Sequence, residues 1–255
     1  MFSWANPGRL PIIVAHRGSS ATAPENTLAA FRQAVEAGTH AIELDVHLSK
    51  DDEVVVIHDA RLERTTNGRG RVRDFTLKEL QQFDAGSWFH KKYSSEKIPT
   101  LAEVFEFIPD RTGINIEIKA GRSRYDRGDI VDRCLRIINK ARGATRTIVS
   151  SFNHSYLRRL KHLYPSVITG CLYHPLRHFG RPPVALSRTT KSDFLIMSGT
   201  SLRKRIISSA HQKRILVGEY TVDTQRRVAR ALRFGVDAIY TNDPARIQEI
   251  ISFLK

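Results

Sequence analysis

Hydrophobic and polar positions follow two alternating patterns along the chain. Short apolar segments rich in β-branched residues predict strands near residues 11–16, 41–46, 114–118, 147–151, 167–172, 193–197, 215–220 and 237–241. Apolar positions at helical spacing predict helices near 26–37, 101–108, 129–142, 154–163, 201–212, 224–234 and 244–254. Such alternation is typical of βαβ units in a parallel sheet. Eight strands within 255 residues favour a closed (β/α)8 TIM barrel, with an open doubly wound sheet as the alternative.

One stretch, residues 47–100, interrupts the repeat between the second strand and its helix. It contains an apolar run from Val54 to Ile57, a turn-forming segment from Arg64 to Gly70 and a short helical pattern near Thr76 to Gln82. These features predict a small insertion that lies on the barrel mouth, within a single domain spanning residues 1–255.

A second stretch, residues 173–192, predicts no regular element. Pro175, Pro182 and Pro183 interrupt any regular pattern there. Its position after a predicted strand would allow a loop over the pocket, but no pattern in the sequence fixes its conformation.

Composition narrows the class of protein. With 41% hydrophobic residues, the chain can bury one sizeable core. No apolar run approaches the roughly 18 residues that cross a bilayer, and the N-terminal residues lack the features of a secretory signal. Cys134 and Cys171 are too far apart for a disulfide framework or a metal-binding pair. We therefore expect a cytoplasmic location.

The net charge of +15 raises the local concentration of anions, such as phosphate esters, nucleic acids or anionic lipid surfaces, although a solvated basic surface without a specific partner explains the charge equally simply. The basic residues are dispersed, in small groups at Arg69 to Arg73, Arg122 to Arg127, Arg203 to Arg205, and Arg226 and Arg227. No basic group has regular aromatic spacing, so we expect no nucleic-acid partner. Weak contact with an anionic membrane stays open, and nothing in the sequence indicates the oligomeric state.

Paired charges two positions apart mark the ends of two predicted strands. Glu43 and Asp45 share one face of the second strand, and Glu117 and Lys119 repeat the spacing on the third. Inward carboxylates repel each other unless a cation lies between them. Oxygen ligands suit Mg²⁺, Ca²⁺ or Mn²⁺ better than Zn²⁺. The alternative is surface charge on an exposed strand, although barrel strands are flanked by helices.

Two histidines accompany these carboxylates. His16 and Arg17 end the first strand, and His58 and Asp59 follow the apolar run of the insertion. Arginine suits bidentate phosphate recognition, and histidine transfers protons near neutral pH. Either pair alone would more often be structural. Together with the carboxylates, the two histidines can supply the base and the acid that hydrolysis of a phosphodiester requires.

The order of several motifs strengthens this interpretation. They are HRGSSATAPENTLAAF (16–31), AIELDVHLSKDDEVVVIHD (41–59), LERTTNGRGRV (62–72), LKELQQFDAGSWF (77–89), IPTLAEVF (98–105), INIEIK (114–119), YTVDT (220–224) and FGVDAIYTNDP (234–244). In this order they strongly resemble glycerophosphodiester phosphodiesterases, within the phospholipase C-like phosphodiesterase superfamily. The resemblance extends over essentially the whole chain and is thinnest from about residue 122 to 214.

The resemblance implies a fold, a site and a reaction. The family fold is a (β/α)8 barrel with a small insertion after the second strand. The family's metal ligands fall on Glu43, Asp45 and Glu117, its catalytic histidines on His16 and His58, and its phosphate contacts on Arg17 and Lys119. The implied reaction is hydrolysis of a glycerophosphodiester to glycerol 3-phosphate and an alcohol, with one divalent cation, Mg²⁺, Ca²⁺ or Mn²⁺.

Several questions about this reaction stay open at the level of sequence. The nucleophile would be water or the glycerol 2-hydroxyl, and the sequence does not say which histidine is the acid. A lysophospholipase D, or a related phospholipid phosphodiesterase at a membrane surface, would use much the same residues. A non-catalytic phosphate binder on the same barrel is a further alternative, which the complete set of ligands and histidines disfavours.

Four residues near the predicted site need separate comment. Tyr220 stands where the family usually carries a pocket-lining Trp, and its neighbour Glu219 would face either the barrel interior or a basic partner outside. In the segment that opens the first helix, Asn26 resembles a helix N-cap. Glu25 would steady the mouth through hydrogen bonds, and a structural and a functional role fit it equally.

Overall fold

The computed structural model describes residues 2–4, 11–119 and 129–254. In these residues the strands are β1 (Ile12–His16), β2 (Ala41–Leu48), β3 (Val54–Val56), β4 (Gly113–Ile118), β5 (Thr147–Ser151), β6 (Ile168–Tyr173), β7 (Phe194–Ser198), β8 (Leu216–Tyr220) and β9 (Ala238–Thr241). All but β3 are parallel neighbours, and β1 pairs with both β2 and β9. The ring is therefore closed, and the predicted (β/α)8 barrel with its eight strands is confirmed.

Helices surround this barrel. They are α1 (Leu28–Glu36), α2 (Leu77–Leu80), α3 (Leu101–Phe107), α4 (Asp129–Lys140), α5 (His154–Leu163), α6 (Pro183–Thr189), α7 (Lys204–His211), α8 (Gln225–Phe234) and α9 (Pro244–Phe253). Within the described ranges, no helix combines the length and the apolar character that crossing a membrane requires.

Helix α6 lies in the stretch where the sequence predicts no element. Its N-cap is Pro182 and its first residue is Pro183. Proline is compatible with the first turn, because the N–H groups of that turn have no partner within the helix. The prolines therefore mark the start of α6 rather than the absence of a helix.

Side-chain alternation along the strands produces two apolar layers. The interior layer includes Ile12, Val14, Ile148, Phe194 and Ile196, with Trp4 packed against Phe194. The opposite strand faces pack against the helices in two larger clusters. The interior layer fills the end of the barrel where the strands begin. The ionisable side chains of β1, β2 and β4 that face the interior lie toward the end where the strands terminate, which we call the mouth.

Residues 49–100 connect β2 to α3. Strand β3 pairs antiparallel with β2, which continues to Leu48, two residues into the predicted insertion. The segment has its own buried cluster, formed by Val55, Ile57, Leu62, Val72, Leu80, Ala85 and Ile98. This cluster fixes the backbone that carries His58 to the mouth.

Candidate active site

The three predicted metal-binding carboxylates lie together at the mouth. Glu43 and Asp45 project inward from β2, and Glu117 projects inward from β4, directly beside Asp45 in the strand register. One oxygen from each carboxylate lies within 4.8 Å of the others, and all three side chains are buried. The parallel register therefore assembles a site in which every ligand atom is oxygen.

Two cations partly neutralise this cluster. The Lys119 Nζ atom lies 2.8 Å from Asp45 Oδ1 and 2.5 Å from Glu117 Oε1. The Arg17 Nε atom lies 3.3 Å from Asp45 Oδ2. Burial alone would raise the pKa of Asp45, but Lys119 and Arg17 outweigh it and hold that pKa well below its usual range. Asp45 is therefore the carboxylate whose negative charge is neutralised by the protein's own cations.

The other two carboxylates are less well compensated. Burial, together with the charges of Asp45 and Glu117, raises the pKa of Glu43 well above its usual value. Burial also raises the pKa of Glu117, despite the neighbouring Lys119. Raised pKa values show that the protein's own cations do not fully offset this negative charge. The donor set therefore fits a hard divalent cation, which would supply the missing positive charge.

His16 ends β1 beside the carboxylates, with its Nε2 atom 4.0 Å from Glu43 Oε2. Its Nδ1 atom lies 2.8 Å from Asn242 Oδ1. The Asn242 amide nitrogen donates to Asp223 Oδ2 at 2.9 Å, which directs the amide oxygen toward His16. The proton of neutral His16 is therefore held on Nδ1, and Nε2 is left as an acceptor. Burial, with a contribution from Arg17, lowers the pKa of His16 to about 4.

His58 has a different partner. Its Nδ1 atom lies 2.5 Å from Asp59 Oδ1, and Asp59 Oδ2 accepts a hydrogen bond of 2.6 Å from Arg64 Nε. Burial lowers the pKa of His58, and the charge of Asp45 opposes that effect in part. Asp45 acts in the same sense on the pKa of His16. Both histidines therefore lie near the carboxylate cluster.

The backbone turn after β1 directs Arg17 over the site. Arg17 and Gly18 both have positive φ angles, 57° and 81°. A Cβ atom on Gly18 would lie 2.7 Å from the backbone of α1, so only glycine fits there. The Arg17 backbone N–H donates to Glu43 Oε2 at 3.0 Å, and its Nη1 donates to Glu25 Oε1 at 2.9 Å. Glu25 also accepts two hydrogen bonds of 2.8 Å from Arg64, so it joins the first loop to the insertion.

The predicted N-cap role of Asn26 is wrong. Thr27 caps α1, accepting a hydrogen bond from Ala30 N at 3.3 Å. Asn26 lies one residue earlier with φ 59°, a conformation that asparagine tolerates better than most residues. Its Nδ2 donates to Asp45 Oδ2 at 2.8 Å, and its Oδ1 accepts from Asp45 N at 3.2 Å. The side-chain nitrogen and oxygen of Asn26 thus both orient Asp45.

Tyr220 and Glu219 face opposite sides of β8. Tyr220 packs against the interior layer, and burial together with Glu117 raises the pKa of its hydroxyl to about 12. Glu219 is fully buried on the outer face and forms an ion pair with Arg230 of α8. Glu219 therefore adds no charge to the pocket, which answers the question that the sequence left open.

A pocket of about 360 Å³ opens beside these groups. Its lining includes His16, Arg17, Ser20, Ala21, Glu25, Thr221 and Asn242. The volume lies within the range of small-molecule sites. A small anionic substrate would therefore meet a cationic side chain and an imidazole on entry.

Sequence reasoning assigned no role to three residues that orient the site. Asn242 and Asp223 position His16, and Arg64 joins Asp59 to Glu25. All three lie within motifs that carry the family resemblance, and Asn242 and Asp223 lie just beyond the ends of β9 and β8. The position of Asn242 and Asp223 after a barrel strand is a further signal, since such positions face the mouth.

Comparison with known proteins agrees with this geometry. The Glycerophosphoryl diester phosphodiesterase family matches residues 16–246, and the chain belongs to this family. It is 38% identical over 242 residues to a glycerophosphodiester phosphodiesterase of Caldanaerobacter subterraneus, covering 94% of this chain and 97% of the relative. It is also 38% identical over 234 residues to a putative glycerophosphodiester phosphodiesterase of Bacillus subtilis, covering 91% and 94%.

The fold also matches solved structures of phosphodiesterases. A phosphodiesterase of Oleispira antarctica, in complex with the product sn-glycerol-3-phosphate, superposes with a TM-score of 0.88 at 30% identity, covering 95% of this chain and 97% of that one. A glycerophosphodiester phosphodiesterase of Thermotoga maritima superposes with a TM-score of 0.76 at 30% identity, covering 97% and 99%.

Proposed function

We propose that this protein is a phosphoric diester hydrolase that converts glycerophosphodiesters to glycerol 3-phosphate and an alcohol, in a reaction that requires a divalent cation. The observation that carries the proposal is the buried trio of carboxylates within 4.8 Å, flanked by two histidines and two cations. The family membership and the product bound by the Oleispira antarctica relative support the glycerol phosphate half of the substrate.

Glu43, Asp45 and Glu117 would hold the cation, with Mg²⁺, Ca²⁺ and Mn²⁺ all compatible with oxygen ligands. When bound, such a cation lowers the pKa of a coordinated hydroxyl and offsets charge on the phosphoryl group. Arg17 and Lys119, which contact Asp45 in this structure, are the side chains that would bind the phosphoryl oxygens.

The partners of the two histidines differ, and this difference supports different roles for them. Burial and the charge of Arg17 keep the His16 imidazole neutral, and the amide oxygen of Asn242 holds its one proton on Nδ1, so that Nε2 is unprotonated. Asp59 presents a carboxylate to His58, which opposes the lowering of the His58 pKa by burial and so favours a protonated ring more than an amide oxygen would. We therefore assign His16 as the base that deprotonates the nucleophile, water or the glycerol 2-hydroxyl, and His58 as the acid that protonates the leaving alkoxide.

Two further parts of the chain would complete the site. Residues 47–100, which we take as an insertion within a single domain of residues 1–255, supply His58 and Asp59. Tyr220 forms an aromatic wall beside Glu117 and is the side chain that we assign to substrate contact on the β8 side of the mouth.

The proposal is tested with metal-stripped protein and glycerophosphocholine, with each divalent cation added in turn and glycerol 3-phosphate followed by a coupled dehydrogenase assay. We expect release that depends on the cation and falls at least about 100-fold in Glu43→Gln. Glu106→Gln, an exposed carboxylate of α3, is the matched control and should release product normally. Release of phosphocholine, or equal activity without any cation, would contradict the proposal.

A further inference from the structure

The loop between β6 and α6 carries two exposed apolar side chains at the mouth. Leu176 is 83% exposed and Phe179 is 89% exposed, the largest values among the exposed large apolar side chains of the described residues, apart from Phe253 at 84%. The loop follows the C-terminal end of β6, so it belongs to the same edge of the barrel as the candidate active site. Phe253 lies at the end of α9, on the opposite edge.

A buried histidine between the two apolar residues anchors this loop. The His178 Nε2 atom lies 3.3 Å from the carbonyl oxygen of Phe152, and its Nδ1 accepts a hydrogen bond of 3.1 Å from the backbone of His174. Its ring stacks on His154 with centroids 4.4 Å apart. The loop therefore has specific contacts with the barrel, and these contacts leave Leu176 and Phe179 pointing into solvent.

The loop also lies close to Tyr220 at the mouth. The Arg177 guanidinium lies 4.9 Å from the ring centroid of Phe152, which packs against the interior layer of the barrel. Its charge acts on the hydroxyl of Tyr220, where it opposes the effect of burial on the pKa. Any surface that covers Leu176 and Phe179 would therefore lie over the same mouth as the candidate active site.

Exposed basic residues continue along this edge. Helices α7 and α8 also begin at the mouth, and neither has an acidic residue in its first turn. The basic rim, as we define it, consists of Arg177, Arg181, Arg203, Lys204, Arg205, Arg226 and Arg227, all exposed. None of them forms an ion pair with another residue that the structure describes.

Positive side chains at the start of a helix oppose the helix dipole, which favours negative charge there. The residues of the basic rim at the start of α7 and α8 therefore lie where the helix dipoles disfavour positive charge. An anionic partner bound at this rim would interact favourably with both the basic side chains and the helix dipoles. A soluble polyanion would leave Leu176 and Phe179 in water, whereas a lipid bilayer would cover them.

We propose that Leu176, Phe179 and the basic rim dock the mouth of the barrel on an anionic phospholipid surface. The two apolar side chains insert among the lipid chains, and the arginines and Lys204 contact the headgroup phosphates. Docked in this way, the substrate pocket faces the headgroup layer. This inference goes beyond hydrolysis and does not depend on the catalytic roles given above.

The test is sedimentation of the full-length protein with vesicles of phosphatidylcholine alone and of phosphatidylcholine mixed with phosphatidylglycerol. We expect binding to the mixed vesicles that weakens with salt, and little binding to the neutral ones. Leu176→Ser with Phe179→Ser should weaken that binding by about tenfold or more. Phe253→Ser is the matched control, because it removes an equally exposed apolar side chain from the opposite edge.

A second pair of variants tests the basic rim. Arg203→Ser with Arg205→Ser should also weaken binding to the mixed vesicles. The charge-matched control is Lys213→Ser with Arg233→Ser, two exposed cations near the opposite ends of α7 and α8. Circular dichroism establishes that each variant is folded, and turnover of soluble glycerophosphocholine should persist in the Leu176 and Phe179 variant.

The outcomes separate this inference from the proposed hydrolysis. Failure of wild-type protein to bind mixed vesicles would overturn it, as would equal weakening by Phe253→Ser. Retention on RNA without vesicle binding, unaffected by the Leu176 and Phe179 substitutions, would assign the rim to a soluble polyanion and also overturn it. An inactive but vesicle-bound protein would contradict the proposed reaction alone.

Discussion

Asn242 presents its side-chain oxygen to the Nδ1 atom of His16 at 2.8 Å, although 226 positions separate the two residues in sequence. Asp223 accepts one hydrogen bond from the backbone N–H of Asn242, at 2.7 Å, and another from its side-chain nitrogen, at 2.9 Å. The three residues form a chain of hydrogen bonds across β8, β9 and β1, where the barrel closes. This chain fixes which nitrogen of His16 faces the carboxylates.

Replacing Asn242 with Ala should affect both the orientation of His16 and its pKa, and the two effects can be measured separately. We expect turnover to fall about tenfold or more, because the ring loses the partner that fixes its tautomer. The Asn242 hydrogen bond raises the pKa of His16, so its loss should lower that pKa further below about 4. A base is active when unprotonated, so the acidic limb of the kcat/KM profile should move to lower pH. A shift to higher pH, or unchanged turnover, would contradict this role.

The assignment of His58 as the acid is tested by changing the leaving group. A p-nitrophenolate leaving group needs little protonation, whereas a choline alkoxide needs a proton in the transition state. The His58→Ala variant should therefore lose about 100-fold or more on glycerophosphocholine but much less on a p-nitrophenyl phosphodiester. The His16→Ala variant should lose activity on both substrates. Equal losses of both variants on both substrates would sink the assignment.

Asn26 should control the affinity for the divalent cation. Its amide bonds both the side chain and the backbone of Asp45, and groups that orient metal ligands typically contribute 10–100-fold to metal affinity. We expect Asn26→Ala to need about tenfold more cation for half-maximal activity, with nearly normal turnover at saturation. Asn139→Ala, on the exposed face of α4, is the control and should show the wild-type requirement. A normal cation requirement in Asn26→Ala would show that Asn26 only shapes the loop.

Much of this arrangement could be predicted from the sequence, because barrel strands have strong local signals. Eight apolar segments were found, and the carboxylates two positions apart on β2 came to lie on one inward face, as side-chain alternation requires. Asn26 was misinterpreted because an asparagine just before a helix is locally indistinguishable from an N-cap. Its true partner, Asp45, lies 19 positions away on another element.

Other features depended on contacts that no local pattern contains. Asn242 and Asp223 gain their roles only when β8, β9 and β1 meet at the closure of the barrel. Helix α6 was missed because its prolines act as a start signal only when the residues that follow can pack, and Leu186 does so against the outer core. The direction of Glu219 depended on the approach of Arg230 from α8.

The ion pair of Glu219 and Arg230 gives a prediction about stability. Glu219 is fully buried, and burial raises its pKa although Arg230 opposes the shift. Replacing Arg230 with Met would leave that carboxylate buried without a partner. Removing one member of a buried pair costs roughly 3 kcal/mol or more, so we expect a loss of this order in the free energy of unfolding near pH 8.

The pH dependence follows from the sign of the shift. Loss of Arg230 should raise the pKa of Glu219 further in the folded state, so folding binds a proton and stability falls as pH rises through that pKa. The deficit of Arg230→Met should therefore be smaller near pH 5 than near pH 8, because the carboxyl is protonated at the lower pH. Glu219→Leu with Arg230→Met removes the buried charge and should recover most of the loss. Urea denaturation of the variants at both pH values measures these differences, and a deficit in Arg230→Met that does not change with pH would show that Glu219 is already neutral in the fold.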